Sequence, residues 1–148
     1  MIATLAADVE PGAVRGAEME IPEIPVIELV RPMPGFSDDL SFTLVRLDDD
    51  GTLCELRSLA NPDLRFLVVS AGLFFADYAP EISDDDAQAL ELTRAEDALV
   101  LVLLNPGESL ESTTANLLAP VVVNTTSLRA AQIVLDDRRH PLAAPLVR

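Results

Sequence analysis

The residues able to do covalent or acid–base chemistry are few and badly placed for it. The chain holds one histidine, His140, and one cysteine, Cys54. A nucleophile needs a base within hydrogen-bond reach and a third group to orient that base. His140 stands beside Pro141 in a charged C-terminal stretch, and no histidine neighbours Cys54 in a catalytic pattern. Two aspartate runs, Asp48-Asp49-Asp50 and Asp84-Asp85-Asp86, could attract Ca²⁺ or Mg²⁺. Neither has the alternating ligand spacing with a distant glutamate that a calcium loop uses. A hairpin turn and a helix start account for both runs, which leaves a small metal-dependent enzyme as a remote alternative. Gly-rich phosphate loops and Cys/His metal patterns are absent from the sequence. Asn124-Thr125-Thr126 fits a glycosylation sequon, but no secretion signal accompanies it. A non-enzymatic protein without cofactor or metal is the expectation.

The charge balance turns attention from a cleft to a surface. There are 25 acidic against 10 basic residues, a formal net charge of −15, and every base is arginine. Phosphate backbones and anionic lipid heads repel such a chain, so direct nucleic-acid or membrane binding is not expected. A basic protein partner would be attracted and would associate faster at low salt. Residues 81–97 concentrate the effect, with Glu81, Asp84, Asp85, Asp86, Glu91, Glu96 and Asp97 against Arg94 alone. Just before them lie Phe74, Phe75 and Tyr78, candidates for an exposed aromatic patch inside an acidic rim, a common build for a protein-binding site. The other reading is that Phe74 or Phe75 is core and the acids solvate a helix.

The elements that must carry this surface are short. A chain of 148 residues is one domain, able to remove roughly 70% of its unfolded surface from water. Met1 to Glu18 shows little periodicity and reads as a flexible tail, with a single domain over 19–148. Prolines 22 and 25 exclude a helix and suggest edge strands. Arg31-Pro32-Met33-Pro34-Gly35-Phe36 reads as a turn. Strands are predicted at Ser41–Leu47 and Thr52–Leu56, joined by an Asp-Gly hairpin at Asp50-Gly51, with Cys54 a small buried hydrophobe. Further strands are expected at Leu64–Ser70, Ala98–Leu104, Pro120–Val123 and Ala131–Leu135. Ser83 should cap a short helix running to about Leu90, with the acids favouring its positive start. Glu108–Thr114 reads as a polar loop of unusual freedom. The sum is mainly β: a small antiparallel barrel or sandwich of about 8–10 short strands with one or two short helices.

Several stretches, taken in order and spacing, match a known pattern. They are Met33-Pro34-Gly35-Phe36, Leu64-Arg65-Phe66-Leu67-Val68-Val69, Leu73-Phe74-Phe75-Ala76-Asp77-Tyr78, and above all Thr113-Thr114-Ala115-Asn116-Leu117-Leu118-Ala119-Pro120-Val121-Val122-Val123-Asn124. Gln132-Ile133-Val134-Leu135 follows. From about Met19 onward the chain resembles the flagellar assembly factor FliW family. Arg57 departs from the pattern, in which Leu-Gln-Ser is usual where Leu56-Arg57-Ser58 stands here. The first 18 residues have no counterpart, and the lysines common in relatives are missing.

The resemblance implies a small, mostly β, barrel-like, non-enzymatic protein that works by contact with two partners. The single cysteine, unable to form an internal disulfide, fits a reducing cytoplasm, and the protein is expected to be monomeric alone. One is CsrA, an RNA-binding translational regulator whose repression of flagellin mRNA the family relieves. The other is flagellin, which withdraws the factor from CsrA. In the family the antagonism is understood as binding beside the RNA site and disfavouring RNA there, which an acidic protein would do by repulsion. A flagellin-specific chaperone with no role in translation is the alternative. The residues expected to meet partners are Phe74, Phe75, Asp77, Tyr78, Asp84, Asp85, Asp86, Thr113, Thr114 and Asn116. Phe74, Phe75 and Tyr78 are expected to form an apolar groove for flagellin. The acidic region, the Glu108–Thr114 loop and Asn116 are expected to face CsrA.

Overall fold

The computed structural model describes residues 2–4, 24–33, 39–136 and 139–146. The expected turn at Pro34-Gly35-Phe36 and most of the expected N-terminal tail lie outside the described residues. Inside that tail, residues Ile2–Thr4 form a strand, β1. β2 (Ile24–Leu29), β3 (Ser41–Arg46), β4 (Leu53–Ser58) and β5 (Arg65–Ser70) then run as an antiparallel meander. Helix α1 (Ala71–Phe74), strand β6 (Glu81–Ser83) and helix α2 (Asp84–Ala89) follow. β7 (Ala98–Asn105), β8 (Thr114–Ala115), β9 (Val121–Asn124), β10 (Arg129–Gln132) and β11 (Ala144–Pro145) complete the chain.

Seven of these strands close on themselves in the order β7-β5-β4-β3-β2-β10-β9 and back to β7. Closure leaves the barrel without an open edge. One seam departs from the expected antiparallel arrangement: β10 pairs with β2 in parallel, Arg129 against Glu28 and Ala130 against Leu29. The hairpin from β9 fixes the direction of β10, and the last free edge it can close onto, β2, happens to run the same way.

Strand alternation builds the interior. Ile27, Phe42, Leu44, Cys54, Leu56, Val68, Leu101, Val121, Val123 and Ala130 are buried together inside the barrel. Cys54 is among them, as its neighbours in the sequence suggested. The β3–β4 hairpin turns as expected: Gly51 takes a φ of 68°, and the Asp48 carboxylate accepts from the amides of Thr52 (2.9 Å) and Leu53 (3.2 Å). Pro25 sits where β2 slips register between Ile24 and Ile27, a bulge that tolerates a residue with no N–H.

A second layer covers part of the outer wall. The outward residues Val69, Val100, Val102, Val122 and Ala131 pack against Ala71, Phe75, Tyr78, Ile82, Leu90 and a C-terminal strap carrying Ile133, Leu135, Ala144 and Leu146. Every residue of β9 is therefore buried on both faces. The strap also explains why β10 lies earlier than Ala131–Leu135: Ile133 and Leu135 leave the barrel ladder and donate instead to the carbonyls of Pro120 and Leu118.

Candidate partner-binding surface

The acidic stretch is a designed helix end tied firmly to the barrel. Ser83 lies in an extended conformation and its Oγ accepts from the Asp86 amide at 3.1 Å, placing Asp84, Asp85 and Asp86 in the first turn. There the unsatisfied N–H groups favour negative charge. The helix stops at Glu91, whose φ is 57°. Glu91 donates to the Gln88 carbonyl (3.0 Å) and Leu92 to that of Ala87 (2.8 Å), a Schellman closure with glutamate where glycine is usual.

Asn124, at the end of β9, anchors this closure. It is 3% exposed, and its Nδ2 donates to the carbonyls of Leu90 (2.9 Å) and Glu91 (3.1 Å). Its Oδ1 accepts from the amides of Thr126 (2.9 Å) and Ser127 (3.3 Å). Salt bridges add lateral ties: Arg31 to Asp86 at 2.8 Å, Arg129 to Glu91 at 3.5 Å, and Arg94 to Glu96 and Asp97 at 3.6 and 3.4 Å. The arginines thus neutralise part of the acidic stretch; Glu81 in β6 and Asp84 and Asp85 in the first turn of α2 are exposed to solvent.

The aromatic patch is not where the sequence suggested. Phe75 is 6% and Tyr78 5% exposed, both in the outer layer, and Phe74 is half-buried against it. Asp77 is exposed between them. The Tyr78 hydroxyl donates to the Leu117 carbonyl at 2.6 Å, and its ring meets His140 edge-on with centroids 5.2 Å apart. Burial pushes the phenol above its ordinary range. The reason lies in the outward valines of β7 and β9, which need a cover that the aromatics of this segment supply. An open groove formed by Phe74, Phe75 and Tyr78 is therefore corrected to a packed layer.

The Thr113–Asn124 stretch is likewise structural at its entrance. Thr113 is buried, accepting from the Gly107 amide (3.2 Å) and donating to the Ser109 carbonyl (2.9 Å). Thr114 is half-buried in β8, between Asn105 and Pro145. Asn116 Oδ1 accepts from the amides of Leu118 (3.1 Å) and Ala119 (3.0 Å), turning the chain toward β9. The loop before it carries local structure: Leu110–Ser112 is a 3-10 turn closed by a Ser109/Ser112 capping box. Among the described residues no three His, Cys, Asp or Glu side chains gather to hold a metal ion.

Comparison with known proteins assigns this architecture. The family profile described as "FliW protein" matches residues 13–146. The chain belongs to the FliW family. It is 33% identical over 129 residues to the flagellar assembly factor FliW of Bacillus subtilis (strain 168), covering 87% of this chain and 90% of the relative. With the Bacillus pumilus FliW it shares 37% identity over 123 residues, 83% of this chain and 85% of that one. The fold is similar to a crystal structure of the flagellar assembly factor FliW, with a TM-score of 0.80 and 26% identity over 87% of this chain and 90% of that one. The matched FliW region takes in the whole barrel, α2 and the strap, and leaves β1 outside. Asn124, which holds the acidic helix in place, was missed by the sequence reading, as were the surface ion pairs of Arg31 and Arg129; the position of Asn124 at the end of an all-apolar strand was the available signal.

Proposed function

We propose that this member of the flagellar assembly factor family acts in the cytoplasm, as a monomer and without catalysis, by binding and antagonising CsrA. It thereby relieves repression of flagellin mRNA translation, and newly made flagellin withdraws it by binding in turn. The observation that carries this reading is the exposed acidic start of α2, with Glu81, Asp84 and Asp85 on a rigid support in a chain of net charge −15. An RNA-binding surface is basic, so such a face is attracted to it and disfavours phosphate nearby. Asp77, Asp84, Asp85 and Asp86 are the partner-facing residues, together with half-buried Phe74. Thr113, Thr114 and Asn116 contribute by holding their loop, and Phe75 and Tyr78 by supporting the layer beneath.

The test is a titration of purified protein with CsrA and with flagellin, singly and in competition. Asp84→Lys/Asp85→Lys should weaken CsrA binding and flatten its salt dependence. Affinity unchanged at low and high salt removes the acidic face from the mechanism. Flagellin binding with no CsrA binding leaves the chaperone reading.

A further inference from the structure

β6 differs from the other strands in how its edge is satisfied. It belongs to a two-stranded sheet of its own, in which β1 pairs antiparallel with it: Ile2 opposite Ser83, Ala3 opposite Ile82, Thr4 opposite Glu81. β6 lies within the matched family region, which begins at residue 13, while β1 lies before it. The strand that covers this edge is thus supplied from outside the part shared with the family. A two-stranded pairing of three residues is marginal in water. An edge strand presents N–H and C=O groups that template any extended chain. Ile82 is anchored in the core, which fixes the edge in position. Exposed Glu81 opens the strand, and exposed Asp84 and Asp85 follow it directly.

We infer that the β6 edge is a strand-accepting interface for an extended, basic segment of a partner protein, and that β1 occupies it in cis as a built-in competitor. Main-chain hydrogen bonds give such a site its affinity, and the flanking carboxylates select for arginine or lysine at the ends of the incoming segment. β1 belongs to the same chain and needs no association step, so even weak pairing lowers the fraction of competent molecules. If the edge is open in about one molecule in ten, apparent partner affinity is about tenfold below intrinsic. The inference rests on the proposed encounter with CsrA and adds where on the acidic face the contact forms.

The experiment titrates purified CsrA into the full chain, into Ala3→Pro/Thr4→Pro, and into Thr4→Cys/Glu81→Cys oxidised and reduced. Of two consecutive strand residues one points its N–H at the partner, so the proline pair removes a ladder donor of β1. The paired cysteines, on opposed residues, staple β1 down, and Cys54 is fully buried out of their reach. Amide exchange across Glu81–Ser83, where successive N–H groups alternate between the β1 side and the far side, is followed in parallel. The expected result is about tenfold tighter binding by the proline variant, faster exchange in it at those Glu81–Ser83 amides that face β1, and weaker binding by the stapled form than by the same variant reduced, the loss of the Glu81 carboxylate being common to both. Equal CsrA affinity in all forms overturns the β6 interface and leaves the proposed function standing. Equal amide exchange with and without the prolines overturns the cis cover. Failure of every form to bind CsrA overturns the functional reading and this inference with it.

Discussion

Asn124 is the residue on which the acidic helix depends, and Asn124→Ala measures that dependence. Four hydrogen bonds converge on its buried amide, two donated to the helix-terminal carbonyls of Leu90 and Glu91 and two accepted from Thr126 and Ser127. Each is worth about 0.5–1.5 kcal/mol net, and a buried group left unpaired costs more than the bond itself. One loss is softened, because the Leu90 carbonyl also accepts from the Ser127 hydroxyl at 3.2 Å. The sum is about 3 kcal/mol, which lowers Tm by roughly 6–12 °C in a domain of this size. Urea and thermal melts should show this loss, and amide exchange should show α2 opening before the barrel. Asn124→Asp keeps the accepting oxygen and nearly the same shape, but sets a carboxylate against two carbonyl oxygens in place of two donated bonds. It should therefore be at least as damaging as alanine. A loss under about 1 kcal/mol for alanine, or wild-type stability for aspartate, refutes the view that donation to Leu90 and Glu91 holds the helix.

Other expectations follow from single contacts. Gly107→Ala places a Cβ 2.1 Å from Ser112 Oγ and 2.5 Å from the Ser112 carbonyl oxygen, so it should cost about 1–3 kcal/mol in a chemical melt, and Ser112→Ala should not rescue it because the carbonyl remains. Tyr78→Phe should cost about 1 kcal/mol for the lost bond to Leu117. Because burial raises the Tyr78 phenol, its contribution is complete below the unfolded value of about 10 and is lost as pH climbs through the folded value. The chain has one tyrosine and no tryptophan, so the phenolate absorbance of an alkaline titration reports this group directly. That band should appear only together with unfolding, and the alkaline loss of stability should be smaller in Tyr78→Phe. Glu91→Gly relieves a left-handed conformation and should stabilise by up to about 1 kcal/mol. The surface pair with Arg129 that it removes is worth little.

Local chemistry was legible in the sequence wherever a few neighbouring residues decide the outcome. Asp48 to Gly51 specifies the hairpin because the turn needs a positive φ and a side chain to satisfy two amides. Ser83 with Asp84–Asp86 specifies a helix start because the first-turn amides seek acceptors. Alternation around Phe42 and Leu44 and around Cys54 and Leu56 specifies two strands, each with one buried face. The family pattern in Thr113–Asn124 was equally readable, and it led to membership that the comparisons bear out.

What the tertiary structure decided is which apolar residues receive a second layer. Phe75 and Tyr78 have the same side chains whether they face a partner or the outward valines of β7 and β9, and nothing within their own segment distinguishes the two. Thr113 and Asn116 look like reachable loop residues until the positions of Gly107, Ser109, Leu118 and Ala119 turn them into ties that hold the backbone. The parallel seam between β2 and β10, whose strands end at Leu29 and begin at Arg129, follows from where the other strands have already gone. Sequence alone determined β3, β4, β5, β7 and β9, the Asp48–Gly51 hairpin and the acidity of the 81–97 stretch, because those properties are local. Closure, the covered aromatics and the cross-link from Asn124 to α2 came only with the fold, because each depends on surfaces that distant segments bring together.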